Sequence, residues 1–402
     1  MSPPSVEPRL PSWWLEDALG REGDPAPAPA LSGDSTADVA IVGGGYTGLW
    51  TALALREQAP GLRIALLEAE ICGHGPSGRN GGFLHGYWAA LASTLPVLGE
   101  ERALELARAG ERIIPGIRAW AEQRGEDVWL REAGMLEVSA APAQDGSAEK
   151  AVGAAARVGR PDQAVGLTPE EVAQRVSSPV FRGGVFYPEC ATVHPGLLVR
   201  ALRRAALDAG VTVHEGTPVT AVRAGAPNEL ETPRGILRAP DVVLATNAPL
   251  TGWAPASRNL TNFGSYVVLT EPAPERLAEI GWIGGEAIVD GRMFLHYFRT
   301  KPGTRIHYGA GYSGHGVGPS WLGGRILASL VLGADDEWTR LPLATRAVPR
   351  LPREPFRRLG GGLVRWAIMT CEAAEEDGRR PPLAARAGAA LPRLLGMELG
   401  TR

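Results

Sequence analysis

The sequence predicts an α/β domain of the Rossmann-like, dinucleotide-binding type, joined to an α+β domain that is built on an antiparallel sheet. Two observations lead to this prediction. A short apolar strand, a glycine turn and a helix follow one another from residue 39, and a polar and aromatic region at 263–308 has the pattern of antiparallel strands. The 402 residues are enough for two domains with separate cores.

Composition and charge argue against several functional classes. Hydrophobic and charged residues make up 44% and 21% of the chain, and the formal net charge of -3 gives no electrostatic basis for binding nucleic acid. Cys72, Cys190 and Cys371 are widely spaced, which disfavours disulfides and a zinc cluster and favours a reduced, cytoplasmic location. No stretch approaches the roughly 20 apolar residues that span a bilayer, and residues 1–14 lack the apolar run of a signal peptide. We therefore expect a cytoplasmic protein with no metal site, no nucleic-acid partner and no membrane span.

The first elements follow the order of a nucleotide-binding fold. Residues 24–30 alternate proline and alanine, which predicts a semi-extended linker without a core of its own. Residues 39–42 form a continuous apolar run, typical of a parallel strand buried on both faces, and residues 46–58 carry an apolar helical face. Pro60 and Gly61 end that helix, and residues 63–68 predict the second strand.

The remaining elements are predicted from the same signals. A helical region at 95–124 precedes a strand at 135–138, and the Ala- and Gly-rich stretch 140–159 predicts a surface connection with helical turns. Pro195 begins a helix that ends at Gly210. Strands are expected at 211–213, 219–222 and 241–246, and helices at 319–332 and 363–376.

The most informative motif is the turn at residues 43–48, which has the pattern G-x-G-x-x-G between the strand and the helix. Gly43 permits the tight turn, Gly45 lets the backbone approach a pyrophosphate, and Gly48 allows close packing of helix on strand. The pyrophosphate is expected at the helix N-terminus, where free N–H groups favour negative charge. Glu68 follows Gly48 by 20 residues, at the position where a carboxylate accepts the ribose hydroxyls.

A second small-residue loop at 72–82 separates FAD from NAD as the predicted cofactor. It contains Ser77, Arg79 and Asn80 among glycines, so backbone amides can crowd against a large planar ligand. The alternative is a mobile surface loop. Glu68 has no arginine beside it, which disfavours NADP, and an NAD-dependent dehydrogenase would have no use for this loop.

Five segments together resemble the D-amino-acid-oxidase type of FAD-dependent oxidoreductases, and within it the gamma-glutamylputrescine oxidase branch. These segments are the run 37–48 with the strand end Leu67-Glu68, the loop 77–82, the stretch from 185–188 to 193–195, the strand 242–247 and the turn 311–317. The resemblance implies an FAD/NAD(P)-binding domain at 36–90, 190–250 and 311–345. It also implies a substrate domain at 91–189 and 251–310, after an arm and linker at 1–35 and before a helical tail at 346–402.

The resemblance also implies which positions contact FAD. The glycine turn would hold the pyrophosphate, and Glu68 would hold the adenosine ribose. The second loop would line the phosphates and the edge of the flavin ring, and later segments would border the adenine and the flavin. These positions are Gly43, Gly45, Tyr46, Thr47, Gly48, Glu68, Ser77, Arg79, Asn80, Gly81, Gly82, Val219, Ala245, Thr246, Gly314, His315, Gly316 and Val317. For His315, a capping or turn histidine is the alternative.

The resemblance implies hydride transfer from the carbon beside a neutral amine to the flavin, with the resulting imine hydrolysed by water. The partners would be an amine or amino acid and oxygen or another electron acceptor. Catalytic candidates are His296, Tyr297, Arg299 and His315. Arg299 could anchor a substrate carboxylate, although a surface arginine is the alternative, and His296 and Tyr297 are equally open to a structural role. Trp13, Trp14, Trp50 and Trp88 are interpreted as packing residues.

The chain departs from the family pattern near residue 310. Family members carry a longer section between the strand resembling residues 305–309 and the turn 311–317, whereas here residue 310 runs straight into that turn. We hypothesise an internal deletion, which would leave unpaired strand edges and an opened active-site roof. A truncated flavin-binding protein without turnover is therefore an alternative to an active enzyme. No cysteine lies in the flavin-capping turn, which favours non-covalent flavin.

Overall fold

The computed structural model describes residues 12–252, 266–292, 296–300, 306–310, 316–346, 351–353 and 355–394. The described part contains fourteen α-helices and seventeen strands. The helices are α1 Trp13–Glu22, α2 Tyr46–Gln58, α3 Leu91–Leu98, α4 Glu100–Gly110, α5 Ile113–Arg124, α6 Asp145–Arg157, α7 Pro169–Arg175, α8 Pro195–Asp208, α9 Pro274–Glu279, α10 Val317–Val331, α11 Glu337–Arg340, α12 Pro342–Thr345, α13 Phe356–Glu376 and α14 Leu383–Leu394. The strands are β1 Ser35–Thr36, β2 Val39–Val42, β3 Ile64–Leu67, β4 Phe83–His85, β5 Met135–Val138, β6 Val165–Leu167, β7 Gly184–Tyr187, β8 Cys190–Thr192, β9 Thr212–His214, β10 Ala221–Arg223, β11 Asn228–Thr232, β12 Gly235–Ala239, β13 Asp241–Leu244, β14 Tyr266–Leu269, β15 Ala287–Asp290, β16 His296–Thr300 and β17 Ile306–Ala310.

A parallel four-stranded sheet in the order β13-β2-β3-β9 forms the nucleotide-binding half. Its central strands β2 and β3 are buried along their whole length, as their continuous apolar sequences predict. Helices α2, α8 and α10 pack together beside it, and the core there includes Ile41, Leu49, Leu198 and Leu322. Within the described residues β13 pairs only with β2, so it forms an edge of this sheet.

A seven-stranded sheet in the order β14-β17-β16-β15-β5-β7-β6 forms the second half. All its pairs are antiparallel except β15 with β5. One face carries a cluster that includes Phe83 and Tyr297, and the other packs against a cluster around Trp282 and Ile288. The two-stranded pair β4–β8 contributes Phe83 to this sheet and Leu84 to the nucleotide-binding core, so it links the two halves.

Most predicted elements occur within a few residues of their expected bounds, and the structure adds three features that the sequence did not predict. The stretch 140–159 contains the 13-residue helix α6 rather than isolated turns. The hairpin β11–β12 was not predicted, and it joins β1 and β10 in a separate four-stranded sheet. The linker 24–30 has no regular structure, yet Ala28 is buried and donates its N–H to Glu215 over 2.6 Å, so this segment is packed onto the domain.

Candidate functional site

At two positions of the glycine turn, a side chain would collide with backbone atoms. Gly43 has a φ of +114°, and a Cβ there would lie 2.6 Å from the carbonyl oxygen of Ala245. A Cβ on Gly48 would lie 2.0 Å from the carbonyl oxygen of Gly43. The third glycine of the motif therefore lets α2 start directly against the end of β2, as predicted.

Oxygen acceptors surround the start of α2. The N–H of Tyr46 donates to Ser77 Oγ over 2.9 Å, and the N–H of Gly44 donates to Glu68 Oε2 over 2.7 Å. A Cβ on Gly45, the residue that precedes α2, would lie 2.8 Å from Ser77 Oγ. The amides of the turn therefore point toward the space between Glu68 and Ser77. This space lies at the N-terminal end of α2, where the helix dipole favours negative charge.

The carboxylate of Glu68 lies in a poorly solvated position at the end of β3. Burial raises its pKa, hydrogen bonds from the N–H groups of Glu70 and Gly44 oppose this effect, and the charges of Glu215 and Glu70 add to it. Glu68 is held beside the turn by both amides, at 3.1 Å from Glu70 and 2.7 Å from Gly44.

The second glycine loop is ordered by its own side chains. Asn80 Nδ2 donates to the carbonyl oxygen of Ser77 over 2.9 Å, and its Oδ1 accepts from the N–H of Gly82 over 2.7 Å. Arg79 Nε donates to the carbonyl oxygen of His74 over 2.7 Å. Gly82 has a φ of +72°, and a Cβ there would lie 2.2 Å from the carbonyl oxygen of Val193.

Arg299 is buried beside this loop, so the alternative of a surface arginine was wrong. Its side chain is 1% exposed, and Nη1 donates to the carbonyl oxygens of Val193 and of Gly81, the latter over 3.0 Å. The guanidinium lies 5.2 Å from the centre of the Trp14 ring. Nη2 has no hydrogen-bond partner, and burial lowers the pKa of Arg299.

Tyr297 and His296 lie on opposite faces of the seven-stranded sheet, as alternation along β16 requires. Tyr297 faces the loop: a Cβ on Gly81 would lie 2.7 Å from Tyr297 Cε2, and its ring lies 5.4 Å from that of Phe83. His296 Nδ1 lies 2.7 Å from Asp290 Oδ2 on the far face, where Phe298 also packs. The structure therefore brings Tyr297 and Arg299 to the glycine loop and places His296 away from it.

Of the remaining predicted cofactor positions, Ala245 lies at the end of the parallel sheet and Val219 packs in the cluster that contains Val42 and Leu67. The N–H of Ala245 donates to the carbonyl oxygen of Val42 over 2.8 Å, and Val219 is buried. Thr246 Oγ1 is buried without a hydrogen-bond partner. Gly316 and Val317 begin α10, while Gly314 and His315 lie outside the described residues.

These features fit a bound dinucleotide. The glycines leave space that side chains would fill, the amides at the start of α2 point toward acceptors, and two buried polar atoms have no hydrogen-bond partner: Thr246 Oγ1, which follows β13, and Arg299 Nη2, beside the second loop. Buried polar atoms in native proteins are normally hydrogen-bonded, so unpaired ones at a predicted groove are consistent with a ligand that completes them.

Two buried carboxylates were not singled out by the sequence, Asp290 on the far face of the seven-stranded sheet and Glu189. Asp290 is buried and pairs with His296, and its role depends on a hairpin register that the sequence does not reveal. Glu189 lies in the turn between β7 and β8, and both its carboxylate oxygens are buried without a partner. A Cβ on Gly86 would lie 2.4 Å from Glu189 Oε1, so only glycine at residue 86 leaves room for that carboxylate.

Residues 38–310 match the family described as FAD dependent oxidoreductase, DAO, and the chain belongs to this family. The match confirms the predicted family and FAD as the cofactor, and it removes the NAD-dependent alternative.

Named relatives agree with this assignment. The chain is 30% identical over 288 residues to the probable oxidoreductase OrdL of Rhizobium meliloti, and the match covers 70% of this chain and 65% of that protein. It is 29% identical over 293 residues to the gamma-glutamylputrescine oxidoreductase of Escherichia coli, with 71% of this chain and 67% of that protein covered. The chain thus spans about two thirds of the length of these relatives.

Solved structures confirm the predicted fold class. The crystal structure of glycine oxidase from Geobacillus kaustophilus superimposes with a TM-score of 0.62 at 20% identity, covering 79% of this chain and all (100%) of that one. L-proline dehydrogenase from P. horikoshii gives a TM-score of 0.53 at 20% identity, covering 70% of this chain and 71% of that one. At this identity the similarity establishes the fold alone.

Proposed function

We propose that this protein oxidises the C–N bond of an amine or amino acid, with FAD as the hydride acceptor. The observation that carries the proposal is the placement of Arg299 and Tyr297 from the seven-stranded sheet against the Gly81–Gly82 segment of the nucleotide-binding half. The substrate would then meet the flavin where the two halves join. An amine substrate is supported by the names of the relatives, which include a gamma-glutamylputrescine oxidoreductase.

The chain's own residues would bind and orient the reactants. Ser77, Glu68 and the amides at the start of α2 would hold the pyrophosphate and ribose, and Thr246 would donate to the cofactor from the edge of the sheet. The bound flavin supplies the hydride-accepting ring. Arg299 would contribute positive charge beside the loop, and Tyr297 would form part of the apolar wall that excludes water.

An alternative, flavin binding without turnover, is favoured by one pair of observations. The family match ends at residue 310, where the sequence predicts an internal deletion. In the described residues β13 has a free edge, as expected if a neighbouring strand is missing. Neither observation involves the glycine turn or the second loop, so flavin binding is expected in either case.

The visible spectrum of the purified chain, followed by anaerobic addition of a panel of amines and amino acids, tests the proposal. Oxidised-flavin bands that bleach with one substrate class are expected. Bands that no member of the panel bleaches would favour binding without turnover, and a colourless protein that takes up no added FAD would overturn both functions.

A matched pair of glycine variants ties the flavin to the turn. Gly45→Ala should lose flavin, because its Cβ would meet Ser77 Oγ at 2.8 Å. Gly61→Ala is the control, since no atom lies within 4 Å of a Cβ at that position. Equal flavin content in the two variants would contradict the assignment of the turn.

A further inference from the structure

Helix α1 lies before the segment that matches the family, yet it packs directly on the second glycine loop. The family match begins at residue 38, whereas α1 spans Trp13–Glu22. Ser12, the N-cap of α1, donates from Oγ to the carbonyl oxygen of Gly78 in the loop. Leu15 is buried, and a Cβ on Gly73 or on Gly78 would lie 3.6 or 3.7 Å from its side chain. The second loop is therefore folded against α1.

The start of α8 fixes the position of α1. A Cβ on Gly196 would lie 2.1 Å from the carbonyl oxygen of Trp14, so the two helices approach each other closely at this glycine. His194, the N-cap of α8, is fully buried, and its Nε2 lies 3.1 Å from Asp17 Oδ2. Because its Nδ1 accepts the N–H of Leu197 over 3.0 Å, Nε2 carries the proton that Asp17 accepts. The Trp14 ring meets the His194 ring in a T-shaped contact with 4.5 Å between the centres, so it is held in one place.

The ring of Trp14 lies beside the guanidinium of Arg299. The distance from Arg299 Cζ to the ring centre is 5.2 Å, within the range of about 6 Å for a cation–π contact. Both side chains are buried, and such a contact is strongest where water is excluded. Nη1 of Arg299 is held by the carbonyl oxygens of Gly81 and Val193, while Nη2 has no hydrogen-bond partner. Trp14 thus packs on a guanidinium whose Nη2 is available to a ligand.

We propose that Trp14 is a positioning residue of the flavin site, which holds the Arg299 guanidinium in the orientation that binds the cofactor. This inference rests on the place that Arg299 has in the proposed function. Trp14 acts through Arg299: its ring limits rotation of the guanidinium and keeps water away from it. Without the ring, FAD would have to immobilise a side chain with many rotamers, so binding would be weaker.

A double-mutant cycle on the full chain tests the inference, with FAD affinity measured by fluorescence titration of the apo-protein. Trp14→Met should weaken FAD binding by about threefold to tenfold, the loss expected for one side chain that the ligand must immobilise. In the Arg299→Met background the same change should have no further effect, because the group through which Trp14 acts is absent. Trp14→Phe keeps an aromatic face and should keep most of the wild-type affinity. Trp14→Leu takes the place of Trp14→Met if the latter does not fold.

The control is Trp338→Met, which removes a buried ring from a second arginine contact. The Arg112 guanidinium lies 4.0 Å from the centre of the Trp338 ring. This variant should lower the melting temperature about as much as Trp14→Met but leave the FAD affinity unchanged.

Losses of affinity that add in the double variant would overturn the inference, because Trp14 would then act by packing and not through Arg299. Equal losses in Trp14→Met and Trp14→Phe would overturn it too, since the aromatic face would then be irrelevant. Wild-type affinity in Arg299→Met would remove Arg299 from the cofactor site and the inference with it. The readout is FAD binding, so it is separate from the bleaching by amines that tests the proposed oxidation.

Discussion

Arg299 Nη1 donates a hydrogen bond over 3.0 Å to the carbonyl oxygen of Gly81, which joins the seven-stranded sheet to the loop predicted to line the flavin. The guanidinium bonds to backbone carbonyl oxygens and has no carboxylate partner among the described residues, and burial lowers its pKa. A guanidinium nevertheless keeps its proton in proteins. Its charge is therefore buried at a cost that an anionic ligand would offset.

This uncompensated charge predicts opposite effects of Arg299→Met on the apo-protein and on the complex. The variant removes a buried cation, so the apo-protein should unfold at an equal or higher temperature. Its affinity for FAD should fall by about tenfold or more, because a hydrogen bond to a charged group contributes roughly 1.5–3 kcal/mol. Differential scanning fluorimetry without FAD and fluorescence titration with FAD measure the two effects. A loss of apo-protein stability with unchanged FAD affinity would assign Arg299 a purely structural role.

Glu68→Gln gives a similar test at the ribose end. Burial raises the pKa of Glu68, so ionisation of its carboxyl lowers stability as the pH rises from the unfolded value through the folded one. At neutral pH the variant should therefore be at least as stable as the wild type without FAD. Its FAD affinity should fall about tenfold, since an amide accepts the ribose hydroxyls less well than a carboxylate. A Gln variant with wild-type affinity would contradict the ribose assignment.

Glu215 anchors three segments around the site and should be needed for stability. It is 1% exposed and accepts from Ala28, Cys72 and Arg203, over 2.6, 2.7 and 2.9 Å. Glu215→Gln should lower the free energy of unfolding by about 3–5 kcal/mol, because Arg203 is left buried without its counter-charge. Glu132→Gln, which breaks an exposed pair with Arg118, is the control and should change stability little.

The pH dependence of stability gives a second test of Glu215. Burial alone would raise the pKa of this carboxyl, but the hydrogen bonds from Arg203, Cys72 and Ala28 together bring it below its ordinary value of 4.5. Its contribution is therefore complete above the unfolded pKa and is lost as the pH falls through the folded pKa. Urea unfolding across the acidic range should show a smaller loss of stability in Glu215→Gln than in the wild type. Parallel curves for the two proteins would contradict this assignment.

Local pattern explains which parts of the fold and site the sequence predicted. β2 and α2 have the bounds that were expected, because a continuous apolar run and a helical apolar face are strong local signals. The hairpin β11–β12 escaped prediction because its strands mix polar and apolar residues, as in 228–232. The burial of Arg299 depends on how β16 meets residues 81–82 and Trp14, which are far apart in sequence. Such tertiary contacts have no local signature.

Ionisation of Glu189 should make the protein less stable as the pH rises from 4.5 to about 8. Burial raises its pKa to about 8, the nearby charge of Glu111 adds to this effect, and Arg160 opposes it. Between the ordinary value of 4.5 and about 8 the native state holds a proton that the unfolded state has released. Stability should therefore fall with rising pH through this window, by at most about 1.4 kcal/mol per pH unit, and level off above it.

Urea unfolding of Glu189→Gln should lack this slope, so the variant should be the more stable protein at pH values above the window. Glu57→Gln, at an exposed position, should keep the wild-type slope. A wild-type slope in Glu189→Gln would mean that another group releases the proton.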